Sequence, residues 1–316
     1  SASPVARETK VGSKAFTESV ILGEIVAQVI AGSGVKVIHR SQLGGTRILW
    51  EALKAGEIDV YPEYTGTLTN EILAGHGLET EKEQKEFLAG LRIQVGNTIG
   101  FNNTYALAVR ESTSIGLGIR SISDLSVHPG LSLGFSNEFM DRQDGWPGLQ
   151  ALYSLPQQRV FGLDHDLAYR GLVGQDIAAT DVYSTDAEIE YYGLTVLEDD
   201  KKYFPTYNAV LIYRVQWAAD QPKLEQALQK LIGVIGEREM SVMNADVKIG
   251  KRKETDVAAD FLSENLGKPV SQSSGGMILS IWSNTLDHLT LVGISLLAAI
   301  FIAIPFYCQL FNIFIN

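Results

Sequence analysis

The chain has 316 residues and a net charge of −11 at pH 7, with 37 acidic against 26 basic side chains. That acidic balance excludes a nucleic-acid partner, because polyanion binding needs a clustered basic surface to release counterions. The single cysteine, Cys308, leaves the preceding residues without a disulfide framework, a thiol nucleophile or a cysteine metal site.

Read in chain order, Thr9 to Ser13 is expected as a strand, Ser19 to Ala31 as a helix and Val35 to Arg40 as a strand. Thr46 to Ala55 reads as a helix stopped by Gly56, and Ile58 to Tyr61 as the next strand. This βαβα order with short connections predicts parallel strands joined by crossover helices. Such sheets bind ligands beyond the carboxyl ends of their strands. A weak internal repeat runs at an offset of 119 residues, pairing Leu53 with Leu172, Glu57 with Asp176, Ile58 with Ile177 and Tyr64 with Tyr183. Two similar α/β lobes, each aiming a tyrosine from a strand end into a shared cleft, would form a clamshell.

After the globular part, Asn265 to Met277 carries Ser271, Ser273, Ser274, Gly275 and Gly276 and reads as a linker. From Leu289 to Cys308 the chain is apolar apart from Thr290 and Ser295, and no charged residue occurs from Leu289 to Asn316. That run is expected to span a membrane as a helix, in which Pro305 is tolerated. The nearest basic residue is Lys268, so the positive-inside rule gives no orientation. The chain opens on Ser1 with no visible signal peptide, as expected of a processed or recombinant start.

Catalytic signatures are missing. The five histidines, His39, His76, His128, His165 and His288, lack metal-ligand spacing. Nucleophile-elbow, phosphate-loop and dinucleotide fingerprints do not occur. Neither an enzyme nor a metal or cofactor site is expected.

The segments GSKAFTESVILGE from Gly12, LGGT from Leu43, GEIDVYPEYTGT from Gly56, FNNTYALAV from Phe101, FSNEFMDRQDGWPGL from Phe135, DVYSTD from Asp181 and LEDDKKYFPTYNAV from Leu197 follow one pattern. In this the chain resembles the glycine betaine, carnitine and choline binding proteins of osmoprotectant ABC importers. The resemblance implies a type II periplasmic-binding-protein clamshell of two α/β lobes, followed here by a C-terminal transmembrane helix. Lobe one would hold residues 8–107 with 209–268, lobe two 108–208, the linker 269–287 and the transmembrane segment 288–316.

The resemblance also implies a site. Tyr64, Tyr105, Tyr183 and Tyr207 match the tyrosines that box the ligand's cationic head. A trimethylammonium group has no N–H to donate, so aromatic faces must recognise it. Lys14, Thr67 and Arg142, with Glu138 beside the arginine, match the groups at the ligand's carboxylate, and Asn103 completes the set. An arginine fork suits a carboxylate. Tyr61 is expected to serve packing.

The expected function is therefore to bind a quaternary-ammonium solute outside the membrane and deliver it to an ABC permease and ATPase. The binding domain would be periplasmic or extracellular, held at the cell membrane by the C-terminal helix. Asp287, His288, Leu289 and the later Ile304 and Pro305 resemble the entry of a fused permease's first helix. A membrane-anchored solute sensor and an α/β transferase remain as alternatives; the first needs an output domain and the second a general base in the cleft.

Overall fold

The computed structural model describes residues 8–78 and 80–267. In chain order its strands are β1 (Thr9–Gly12), β2 (Val37–Arg40), β3 (Val60–Tyr64), β4 (Ile93–Asn102), β5 (Tyr105–Arg110), β6 (Leu133–Ser136), β7 (Val160–Leu163), β8 (Ala179–Tyr183), β9 (Leu194–Val196) and β10 (Asn208–Arg214). They form two five-stranded mixed sheets, ordered β2-β1-β3-β10-β4 and β7-β6-β8-β5-β9.

The two sheets share one topology. Three parallel strands lie on one side, β2-β1-β3 in the first sheet and β7-β6-β8 in the second. Next to them runs an antiparallel strand that has just crossed from the other lobe, β10 in the first sheet and β5 in the second. This is the two-lobed α/β arrangement of a periplasmic-binding-protein clamshell. The internal repeat follows the same plan, since β3 and β8 occupy equivalent places and each ends on its tyrosine.

Between the sheets the chain crosses at Asn103 and Thr104 and returns between Val196 and Asn208. The crossings are tied together: the Asn103 N–H donates to the Tyr207 carbonyl at 3.0 Å, and the Tyr207 N–H donates to Asn102 Oδ1 at 2.7 Å. The sequence-based divisions at 107/108 and 208/209 fall within β5 and β10.

Local chemistry accounts for the elements that carry the site. Helix Thr17–Ala31 is apolar nearly all round, and Ile21, Leu22, Ile25, Val26 and Ile30 are buried between the first sheet and helices Glu237–Lys248 and Glu254–Leu266. Helix Thr46–Ala55 forms over the expected residues, with Leu49, Trp50, Ala52 and Leu53 on its buried face. Gly56 ends it at φ 75°, a left-handed conformation that costs glycine nothing.

β3 runs three residues past its expected end at Tyr61. Pro62 fits there because β1 pairs with β3 at Val60, so the proline's missing N–H lies beyond that ladder. Tyr61 itself is fully buried against the Thr46–Ala55 helix face, a packing role.

Helix Glu254–Leu266 takes in Asn265, the first residue read as linker. The 269–287 linker and the 288–316 transmembrane segment lie outside the described residues. Among the described residues, no helix is long and apolar enough to cross a membrane.

Candidate ligand-binding site

All nine expected site residues line one cleft between the lobes, joined by Phe16. The sheet topology explains how such distant segments meet. Lys14 and Phe16 follow β1, Tyr64 ends β3, Thr67 lies in the turn after it, Glu138 and Arg142 follow β6, and Tyr183 ends β8. Each antiparallel strand then starts where its parallel neighbour stops. Tyr105 opens β5 in register with Tyr183, and Ala209 of β10 pairs with Tyr64, which brings Tyr207 to the same edge.

The aromatic groups are in mutual contact. The Tyr105 ring centroid lies 5.2 Å from Tyr183 and 5.6 Å from Tyr207, the latter edge-on at 82°. Phe16 of lobe one reaches Tyr183 of lobe two at 5.7 Å and Tyr64 at 6.5 Å. Burial pushes the phenols of Tyr64, Tyr105, Tyr183 and Tyr207 up from their usual range, so all four remain neutral. Two of these rings already face cations, because Arg142 Cζ sits 5.5 Å from the Tyr105 centroid and Lys14 Nζ 5.5 Å from that of Tyr64. Tyr207 is held from both sides. Its hydroxyl donates to Asp144 Oδ2 at 2.6 Å, and Gly66 lies so close that a Cβ there would meet the ring at 2.5 Å.

The cationic side chains come with buried counter-charges. Arg142 Nε donates to Asp144 Oδ1 at 2.7 Å and Nη2 to Asp144 Oδ2 at 2.5 Å. The helix Asn137–Asp141 stops one residue before Arg142, whose backbone is extended. The Gly145 N–H donates to the Arg142 carbonyl at 3.1 Å, and the turn this closes brings Asp144 back beside the Arg142 guanidinium. Glu138 makes only a 3.5 Å contact with Nη1, which leaves that edge of the fork least engaged; Glu138 Oε1 also accepts from Thr46 Oγ1 of lobe one at 3.2 Å. Lys14 Nζ donates to Glu63 Oε1 at 2.5 Å. Burial pushes the Glu63 carboxyl up, opposed by Lys14 and by the Tyr64 N–H. Asn103 donates its side-chain amide to Glu18 Oε1 at 2.8 Å.

Sequence reasoning did not nominate Phe16, Glu63 or Asp144, although each lies inside a quoted motif. The available signal was electrostatic: a buried lysine or arginine needs a carboxylate partner. His165 was read as an unremarkable histidine, yet it stacks on the outer face of Tyr183 at 4.5 Å and 23°.

One arrangement has hydrolase-like distances. His39 Nε2 lies 2.8 Å from Ser13 Oγ, and its Nδ1 lies 2.6 Å from Glu24 Oε1. Ser13 is completely buried, so a substrate carbonyl has no route to its hydroxyl. The trio instead braces the loop that carries Lys14. Among the described residues, no cluster of three or more His, Cys, Asp and Glu side chains could hold a metal ion.

Comparison with known proteins identifies the family. The OpuAC family, described as the substrate binding domain of ABC-type glycine betaine transport system, matches residues 7–264. The ergothioneine transport permease/ergothioneine binding protein EgtU of Helicobacter pylori (strain G27) is 34% identical over 264 residues, which cover 81% of this chain and 47% of that relative. The chain thus spans about half the length of that protein. A glycine-betaine-binding protein of Pseudomonas aeruginosa is 32% identical over 281 residues, 82% of this chain and 88% of its own. The crystal structure of a glycine betaine/carnitine/choline ABC transporter protein superposes with a TM-score of 0.67 at 27% identity, covering 81% of this chain and 98% of that one. The chain belongs to the OpuAC family, the substrate-binding domains of ABC-type glycine betaine transport systems.

Proposed function

We propose that this protein binds a betaine-class solute, with a trimethylammonium head and a carboxylate, outside the membrane and presents it to the permease and ATPase of an ABC importer. The observation that carries the reading is the convergence of Tyr105, Tyr183 and Tyr207 beside a buried arginine whose guanidinium already lies 5.5 Å from a tyrosine face. Neutral aromatic faces attract a cation and cover its methyls, each contributing roughly 0.5–2 kcal/mol. The carboxylate end then falls to the Nη1 edge of Arg142, Lys14 and the Thr67 hydroxyl, with Glu138 beside the arginine and Asn103 at the crossing. Residues 288–316 fit a membrane-spanning segment on the strength of their uncharged, apolar run. The tail suits the start of a permease in the same chain, in keeping with a relative that joins the two activities.

Calorimetry with glycine betaine, proline betaine, carnitine, choline and ergothioneine tests the reading. One-to-one binding of at least one zwitterionic member, recovered chemically unchanged, is expected. Absence of heat with all five, or recovery of an altered compound, would overturn it.

A further inference from the structure

Glu18 stands behind the cleft, in the first turn of helix Thr17–Ala31, and is buried without lining the cleft itself. Its carboxylate accepts four hydrogen bonds from four parts of the chain. Oε1 takes the Tyr64 hydroxyl at 2.6 Å and the Asn103 amide at 2.8 Å. Oε2 takes the Thr185 hydroxyl at 2.5 Å and the Asn244 amide at 3.0 Å. Asn244 also donates to the Thr185 carbonyl at 3.1 Å.

All four partners are neutral. Burial pushes the Glu18 carboxyl up, and the four donors oppose that. A buried carboxylate held by neutral donors is sensitive to the loss of any one of them, because each leaves part of the charge unsolvated. The four also differ in what they belong to. Tyr64 ends β3 in lobe one, Asn103 is the crossing itself, and Asn244 lies in the helix Glu237–Lys248 that follows lobe one's last strand. Thr185 alone follows β8 of lobe two. Thr185 follows Ser184, whose N–H donates to the Thr104 carbonyl of the crossing at 2.9 Å, and it is the one donor that would turn with lobe two, whereas the Oε1 partners belong to lobe one and the crossing.

We infer that Glu18 is a positioning residue that couples closure of the lobes to the orientation of the Tyr64 ring, its donor set being complete only when lobe two supplies Thr185. This rests on the reading of Tyr64 as part of the cationic-head box. The carboxylate acts at a distance from the ligand. It rewards the closed state through Oε2 and fixes a binding face through Oε1.

The test uses the full chain and two variants, Thr185→Val, which keeps the branched shape and removes the hydroxyl, and Glu18→Gln. Spin labels at the exposed residues Ser41 and Ser112, one on each lobe, in a Cys308→Ser background report lobe separation by pulsed EPR without ligand. Stopped-flow fluorescence with glycine betaine gives the association and dissociation rates. Thr185→Val should shift the ligand-free distances outwards and speed dissociation about five-fold or more, with association nearly unchanged. Glu18→Gln should do the same, and the double variant should be no worse than Glu18→Gln alone, since both remove one interaction. Unchanged distances and dissociation in Thr185→Val, or additive effects in the double variant, overturn the inference. Thr185→Val carries the test alone if Glu18→Gln does not fold. Should wild type bind no betaine, the proposed function fails, while the ligand-free distances still decide the role of Glu18.

Discussion

At the scale of single residues, the site is a set of cations that arrive with their counter-ions. Arg142 and Lys14 are both buried, and each is bonded to a carboxylate that is more than nine-tenths buried. The four tyrosines were named in the sequence through the motifs of the family resemblance, and the fold brings all four to one cleft. Glu63 and Asp144 were not, since their roles depend on burial that no local pattern reveals. Their presence sharpens what Arg142 should do. A ligand carboxylate reaching Nη1 makes a charge-assisted hydrogen bond that choline cannot make, while the ring contacts are common to both. Arg142→Ala should weaken glycine betaine binding by roughly 2–5 kcal/mol and choline binding much less. It also strips Asp144 of its cationic partner, leaving the Tyr207 hydroxyl, and loosens the fold, so the ratio of the two affinities is the measurement that matters, because both ligands meet the same altered scaffold. An unchanged ratio by calorimetry would mean that Arg142 does not read the carboxylate.

At the scale of elements, the sequence was most informative where one element contains its own signals. Helix Thr46–Ala55 has its apolar stripe and its glycine stop, and both ends were read correctly. The end of β3 was missed because Pro62 and Glu63 look like strand breakers, and only the short β1 ladder makes room for them. Contacts between elements were less visible still. The helix His165–Val173 begins behind Tyr183, where Asp186 accepts from the Tyr169 hydroxyl at 2.6 Å and the Tyr183 N–H at 2.9 Å, and lies 3.0 Å from His165 Nε2. Asp181 lies 3.9 Å from Nδ1. Burial alone would lower the His165 pKa, but the two carboxylates hold it at about 9. An unfolded histidine titrates near 6.5, so the stabilisation is fully present below that value and is lost as pH rises through about 9. The protein should therefore lose on the order of 2 kcal/mol of stability between about pH 7 and pH 9.5 by urea unfolding. His165→Gln should start lower and show a flatter profile over that window; parallel losses in the two proteins would remove His165 as the cause.

At the scale of the whole molecule, the two lobes are in contact across the cleft, and the contacts lie at both its mouth and its back. Thr46 meets Glu138 at the mouth, and Phe16 meets Tyr183 within. At the back, Lys248 of the helix Glu237–Lys248 donates to Asp166 Oδ1 at 2.5 Å and lies 2.9 Å from Glu188 Oε1, both carboxylates belonging to lobe two. That helix follows lobe one in the chain, so its lysine staples the lobes from outside the ligand site. Ligand can shift such an equilibrium only by its differential affinity for the closed form, and any contact made only on closure adds to the same balance. Lys248→Met keeps the length of the side chain and removes its charge, and it should open the ligand-free protein and weaken ligand binding roughly three- to tenfold, chiefly through faster dissociation. Asp166 is exposed enough for salt to screen the staple. Wild-type affinity should thus fall between low salt and about 0.5 M NaCl, whereas the variant's affinity should change less. Small-angle scattering with and without ligand, paired with stopped-flow rates at the two salt concentrations, checks both parts. An unchanged radius of gyration together with equal salt dependence in the two proteins would show that closure does not draw on Lys248.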